Sequence, residues 1–250
     1  MKKNTITVYW TPHTSPDVPE IGDWNMMYKD PYRLLDYFSD LTFKEEKKDS
    51  FVSCPAFQSI SKNTFVFENS VQSHYNYSAA SYDQYQINVE PKSKTFLAPS
   101  ISRNQMNSIG PTIELGMRYM FFAEESLKAT LTPPFLHKTE YTKYGTLVPG
   151  EFDIGQWFRP MNTELQMYGS SGELILNKDE PLMYIRFLTD KRVELKRFKL
   201  NNALYQYGKS CVNAKGFMGY KQPLPKLYEM FNKTRTKDIV LQEIKKNLVE

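Results

Sequence analysis

The sequence predicts a mainly β, α+β fold: an antiparallel β-sandwich or clip-like core over residues 1–198, carrying an N-terminal helix, and a basic helical extension over residues 199–250 packed on that core. Three observations predict it. Aromatic residues reach 14%, with 17 Tyr and 16 Phe, and large flat side chains suit the pleated, half-buried surface of a sheet. Short alternating apolar and polar runs recur between turn-forming residues through most of the chain. Helical spacing appears only near residues 31–41 and again after residue 199. At 250 residues and 40% hydrophobic content the chain can build a sizeable core, and its aromatics argue against disorder.

Taken in order, Ile6 to Trp10 alternate and predict a first strand. Pro12, Pro16 and Pro19 then exclude a central strand, because proline fixes φ and lacks a donor. Asp30 as N-cap and Pro31 at the first helical position open a helix over 31–41, whose apolar stripe is Leu34, Leu35, Phe38 and Leu41. Thr64 to Glu68 and Tyr85 to Val89 read as strands, with the Ser-, Asn- and Tyr-rich stretch 70–83 as a loop between them. In Ile113 to Phe122, one face collects Ile113, Leu115, Met117, Tyr119 and Phe121. Leu127 to Leu131 forms a short strand, and a loop follows from Pro133 through Gly145 and Gly150. Thr163 to Tyr168 and Glu173 to Leu176 read as a hairpin about Gly169-Ser170-Ser171-Gly172. Leu182 to Leu188 begins just after Pro181, which costs no ladder bond there, and Val193 to Phe198 extends the sheet. The end of the chain is helical: 201–214 with an interruption at Gly208, 226–231, and 237–248 with Leu241, Ile244 and Leu248 on one face. No fixed-period repeat is visible.

Charge is uneven. Residues 191–250 hold 14 Lys and Arg against 5 Asp and Glu, a net +9, so the first 190 residues carry −5 within the overall +4. A basic end attracts nucleic acid or another anionic surface, and the plainer alternative is a solvated helical face. No apolar run is long enough to be a signal peptide or to span a membrane. Cys54 and Cys211 are far apart in sequence, as expected for reduced thiols in a cytoplasm.

No glycine-rich phosphate loop, Cys-x-x-Cys pair or Gly-x-Ser-x-Gly elbow is present, and His13, His74 and His137 stand apart. No cofactor and no metal are therefore expected. Cys54 has no base beside it and reads as a buried, inert thiol. The densest segment is Gly150 to Pro160, where Glu151, Asp153, Trp157 and Arg159 surround two glycines. Its order, with the later Lys178-Asp179-Glu180-Pro181 turn and the strand after it, resembles the late part of dUTPase-like β-clip domains. That resemblance implies a catalytic role for Asp153, with Arg159 near the chemistry. The structural alternative is a turn in which Arg159 pairs with an acid and Trp157 packs.

Tyr75, Tyr77, Tyr82 and Tyr85 read as a recognition loop, since tyrosine offers contact area at low entropy cost. With Trp157 and Arg159 they form the expected binding surface, Tyr, Trp and Arg being the usual interface anchors. Val8-Tyr9-Trp10-Thr11-Pro12, Asp23-Trp24-Asn25, Cys54-Pro55-Ala56-Phe57, Lys62-Asn63-Thr64-Phe65, Gly150 to Pro160 and Glu180 to Phe187 together resemble a family of tailed-phage and bacterial proteins of unknown activity. The resemblance implies a phage protein made in the host bacterial cytoplasm and either built into the particle or confined to infection. The expected function is a non-enzymatic module that binds a phage or host protein. The rivals are a β-clip nucleotide-acting enzyme and a nucleic-acid-binding accessory protein acting through residues 191–250.

Overall fold

The computed structural model describes residues 4–13, 28–41, 50–81, 84–89, 100–107, 110–217 and 223–249. The strands are β1 (Thr5–Pro12), β2 (Tyr32–Arg33), β3 (Thr64–Glu68), β4 (Ser73–Ser81), β5 (Gln84–Val89), β6 (Ser100–Asn107), β7 (Gly110–Ala123), β8 (Lys128–Thr132), β9 (Gly145–Leu147), β10 (Gly150–Asp153), β11 (Pro160–Met167), β12 (Ser171–Leu176), β13 (Pro181–Phe187) and β14 (Arg192–Arg197). The helices are α1 (Leu34–Leu41), α2 (Pro55–Ser61), α3 (Asn202–Phe217), α4 (Leu224–Lys233) and α5 (Thr236–Lys246).

Among the described residues the strands form three sheets. The largest runs β14-β1-β7-β11-β9, with β6 also on β7; the second runs β10-β8-β13-β3-β2; the third is β12-β4-β5. Pairing is antiparallel except between β1 and β14, which run parallel. The protein is thus mainly β, as its aromatic alternation predicts.

The first two sheets enclose the main core. Trp10 meets the edge of Phe67 at 5.8 Å, and Phe67 meets Phe121 at 5.5 Å. The alternation read in β7 sends Ile113, Leu115, Met117, Tyr119 and Phe121 into this layer. Its other face is apolar too: Met120 and Phe122 lie under the C-terminal helices with Tyr9, Trp157 and Phe158. A strand covered on both faces needs this doubled pattern. Leu204, Cys211, Leu227, Phe231, Val240 and Ile244 supply the helical side. On the far side of the second sheet, Leu34 of α1 packs on Val66 and Tyr184. The layers are therefore helices, sheet, sheet, helices.

Several local expectations are corrected by tertiary structure. The helix expected to open at Pro31 starts at Leu34, because Tyr32 and Arg33 pair with Val66 and Phe65 at the edge of β3. A ladder with the sheet outcompetes one more helical turn. The expected loop 70–83 is largely strand β4, held between β12 and β5. The expected loop through Gly145 and Gly150 contains the short edge strands β9 and β10. At Gly145 a Cβ would stand 2.6 Å from the Gln166 carbonyl oxygen, so this residue permits close backbone pairing with β11. The expected 163–176 hairpin does not form: β11 pairs with β7 and β9, while β12 turns away to β4. Helix α3 runs unbroken through Gly208, which rests against Met120 and Phe158 where a side chain would crowd the sheet.

Candidate functional site

The expected recognition residues fall mostly inside the molecule. Once β4 is a strand, its odd-numbered tyrosines point inward, leaving Tyr75 1% and Tyr77 6% exposed within the main core. Trp157 is 6% exposed and is clamped by Tyr228 at 5.8 Å and Phe231 at 5.7 Å on α4. These three side chains are core, and the contact surface assigned to them is corrected. Tyr85 belongs to β5, where its backbone pairs with Ala79. Tyr82 lies outside the described residues.

The Asp153 carboxylate accepts three hydrogen bonds. Its Oδ1 accepts from the N–H groups of Leu127 (3.2 Å) and Gly155 (3.0 Å), and its Oδ2 accepts from the Ser126 hydroxyl. This pins the β7–β8 turn to the end of β10. Gly155 completes the closure, since a Cβ there would lie 1.9 Å from the Glu125 carbonyl oxygen. Arg159 is half-buried near Cys211 and Tyr228 and forms no ion pair with any described residue, so the expected acid–arginine pair is absent from this turn. Both cysteines are free. Cys54 is exposed rather than buried, and the N–H groups of Phe57 and Ala56 draw its thiol below the usual range. Burial pushes the Cys211 thiol up to about 11.

A cleft formed by four segments distant in sequence is the better site. It comprises two adjoining depressions, or lobes, of about 220 and 290 Å³, with Lys62 and Asp190 lining both. Asn63, at φ 56°, builds it. Its Nδ2 donates to the carbonyls of Thr189 (3.0 Å) and Lys191 (2.8 Å), and its Oδ1 accepts from the Val193 N–H at 3.0 Å. The turn after α2 is thereby tied to the turn between β13 and β14. Asparagine suits the position because it tolerates the left-handed region and carries both donor and acceptor.

Four cations line the lobes. The Arg33 guanidinium donates to the Val193 carbonyl at 2.7 Å and lies over the Phe65 ring at 5.7 Å. Lys62 donates to the Asp190 carbonyl at 2.9 Å, and Arg186 to the Ser59 carbonyl at 3.0 Å. Arg192 stands at the start of β14. None of the four forms an ion pair with a described residue, although Asp36 and Asp190 also line the lobes. Nearby Lys191 differs, being paired with Glu125. No charge run marks this cluster in the sequence, because positions 33, 62, 186 and 192 meet only after folding. The motif Lys62-Asn63-Thr64-Phe65 contains two of the residues that build it, but its sequence alone assigns them no role.

Next to it, on the outer side of the second sheet, lies an aromatic shelf. Phe51 is 53% exposed and touches Phe57 (4.9 Å) and Phe38 (5.6 Å) edge-on. Phe38 continues to His137 at 5.6 Å, and Phe135, 58% exposed, meets Tyr184 at 5.1 Å. His137 Nδ1 is hydrogen-bonded to the Tyr184 hydroxyl, and burial lowers the pKa of the ring. Exposed Ile60 lies on α2 between Ser59 and Ser61, residues that line the two lobes.

Among the described residues no group of three His, Cys, Asp or Glu side chains is arranged to hold a metal, and no helix is long and apolar enough to cross a membrane. No family model matches the chain, and no curated protein matches it.

Proposed function

We propose that this protein is a non-enzymatic module that binds a protein partner through the aromatic shelf of α1, the Phe51–Ser53 turn, α2 and the Phe135–His137 turn. The observation that carries this reading is the exposure of Phe51 and Phe135 on one connected set of rings. Large apolar side chains clustered on a surface favour association, because covering them removes apolar area from water. A rim of cations beside an apolar centre is a common interface arrangement. The phage setting, with a phage or host protein as partner, rests on the sequence resemblance.

The rival readings have less physical support. The β-clip enzyme needs a carboxylate at Asp153 able to act on substrate, and the oxygens of that carboxylate already accept three hydrogen bonds. In the basic end, Lys191, Arg197, Lys233, Lys245 and Lys246 are each paired with a carboxylate, which weakens its pull on nucleic acid.

The test is a comparison of tagged wild type with the Phe51→Ser, Phe135→Ser double variant in extracts of infected host cells. The reading holds if a protein retained by wild type is lost from a variant with an unchanged melting temperature. Identical retention profiles would refute it.

A further inference from the structure

We infer that the two-lobed cleft is a socket for an extended acidic segment of the protein partner, a peptide alternating carboxylate and apolar side chains; the inference rests on the protein-binding reading above. Charge supplies the first argument. Arg33, Lys62, Arg186 and Arg192 converge on one depression against only Asp36 and Asp190, and none of the four is neutralised by a described carboxylate. Like charges held together repel one another, and carboxylates from a ligand relieve that repulsion.

The second argument is preorganisation. Arg33, Lys62 and Arg186 are held by the carbonyls of Val193, Asp190 and Ser59, and Arg33 also by the Phe65 ring. Their positive ends are therefore placed before a ligand arrives, which reduces the entropy lost on binding. Beneath them Asn63 locks the two turns together.

Shape and lining select the ligand class. Lys62 and Asp190 line both depressions, so a ligand that reaches both has to be elongated rather than one compact anion. Asp36 and Asp190 oppose the dense charge of a phosphate, whereas a peptide presents carboxylates at intervals with backbone N–H groups between them. Exposed Leu188 lines one lobe, and Ile60 sits on the helix beside both. They offer apolar contact to side chains that alternate with the acids. The proximity of the shelf lets one partner chain engage both surfaces.

The full-length protein is titrated into a fluorescein-labelled peptide alternating glutamate and leucine, with anisotropy read at low salt. A serine–leucine peptide, a single-stranded oligodeoxynucleotide and inorganic phosphate serve as competitors. Saturable binding is expected, displaced by none of the three. The Lys62→Gln, Arg192→Gln double variant should bind about tenfold more weakly, since each partly exposed ion pair contributes modestly. If that variant melts early, Arg186→Gln supplies the same readout with a smaller loss. Unchanged affinity in folded variants overturns the socket. So does tighter binding of the oligonucleotide, or displacement by phosphate, both of which mark a phosphate site instead. If the peptide does not bind while Phe51→Ser, Phe135→Ser still loses a captured partner, the socket fails and the protein-binding reading stands. If that double variant loses nothing, the protein-binding reading falls as well.

Discussion

Asn63→Ala removes three hydrogen bonds from one buried side chain: two donated to Thr189 and Lys191 and one accepted from Val193. Unpaired buried groups cost about 1–3 kcal/mol each, and the Thr189 and Lys191 carbonyls lie in a partly exposed turn, so the lower end applies to them. Alanine at φ 56° adds about 1 kcal/mol of backbone strain. The expected loss is therefore about 3–4 kcal/mol, a large share of the stability of an ordinary domain. Asn63→Gly separates the causes, since it relieves the strain and loses the bonds; about 2–3 kcal/mol is expected. Asn63→Asp keeps the acceptor for Val193 but sets a carboxylate against two carbonyl oxygens, so it should be no better than glycine. Urea unfolding of the four proteins, fitted with a common slope, measures the differences. An Asn63→Ala protein within about 0.5 kcal/mol of wild type would refute the claim that this side chain ties the cleft together.

Four further outcomes are expected. Gly155→Ala places a Cβ 1.9 Å from a backbone oxygen, where no side chain can yield, and should cost more than about 3 kcal/mol in the same unfolding assay; a neutral effect would show that the turn held by Asp153 relaxes freely. Trp157→Ala should destabilise by about 3–5 kcal/mol, because it empties the seat between α4 and the sheet, whereas Phe51→Ala should alter partner retention with little change in melting temperature. His13 stacks on Tyr205, and burial with the nearby Arg118 charge lowers its pKa to about 4. A folded-state pKa below the unfolded value of about 6.5 means that the unfolded chain takes up the proton first. Stability is then lost as pH falls from about 6.5 to about 4, by at most about 3 kcal/mol, and His13→Phe should remove that part of the pH dependence. Identical pH profiles for the two proteins would rule the effect out.

What the sequence determined by itself is where several strands lie and, along β7, which residues share a face. The alternation in β1 and β7 and the proline that opens β13 are local properties, written in the order of neighbouring residues and unaffected by what packs on them. The helical spacing of Leu241 and Ile244 is equally local. Pairing is different. The split of β11 from β12, the strand at β4 that buries Tyr75 and Tyr77, and the late start of α1 depend on which distant backbone offers a ladder, and no short window records that. The cleft belongs wholly to this second class. Arg33, Lys62, Arg186 and Arg192 are unremarkable singly, and become one charged site because Asn63 ties two turns more than a hundred residues apart in sequence. Tertiary structure decided the site because burial and hydrogen bonding act on proximity in space, while sequence patterns report only proximity along the chain.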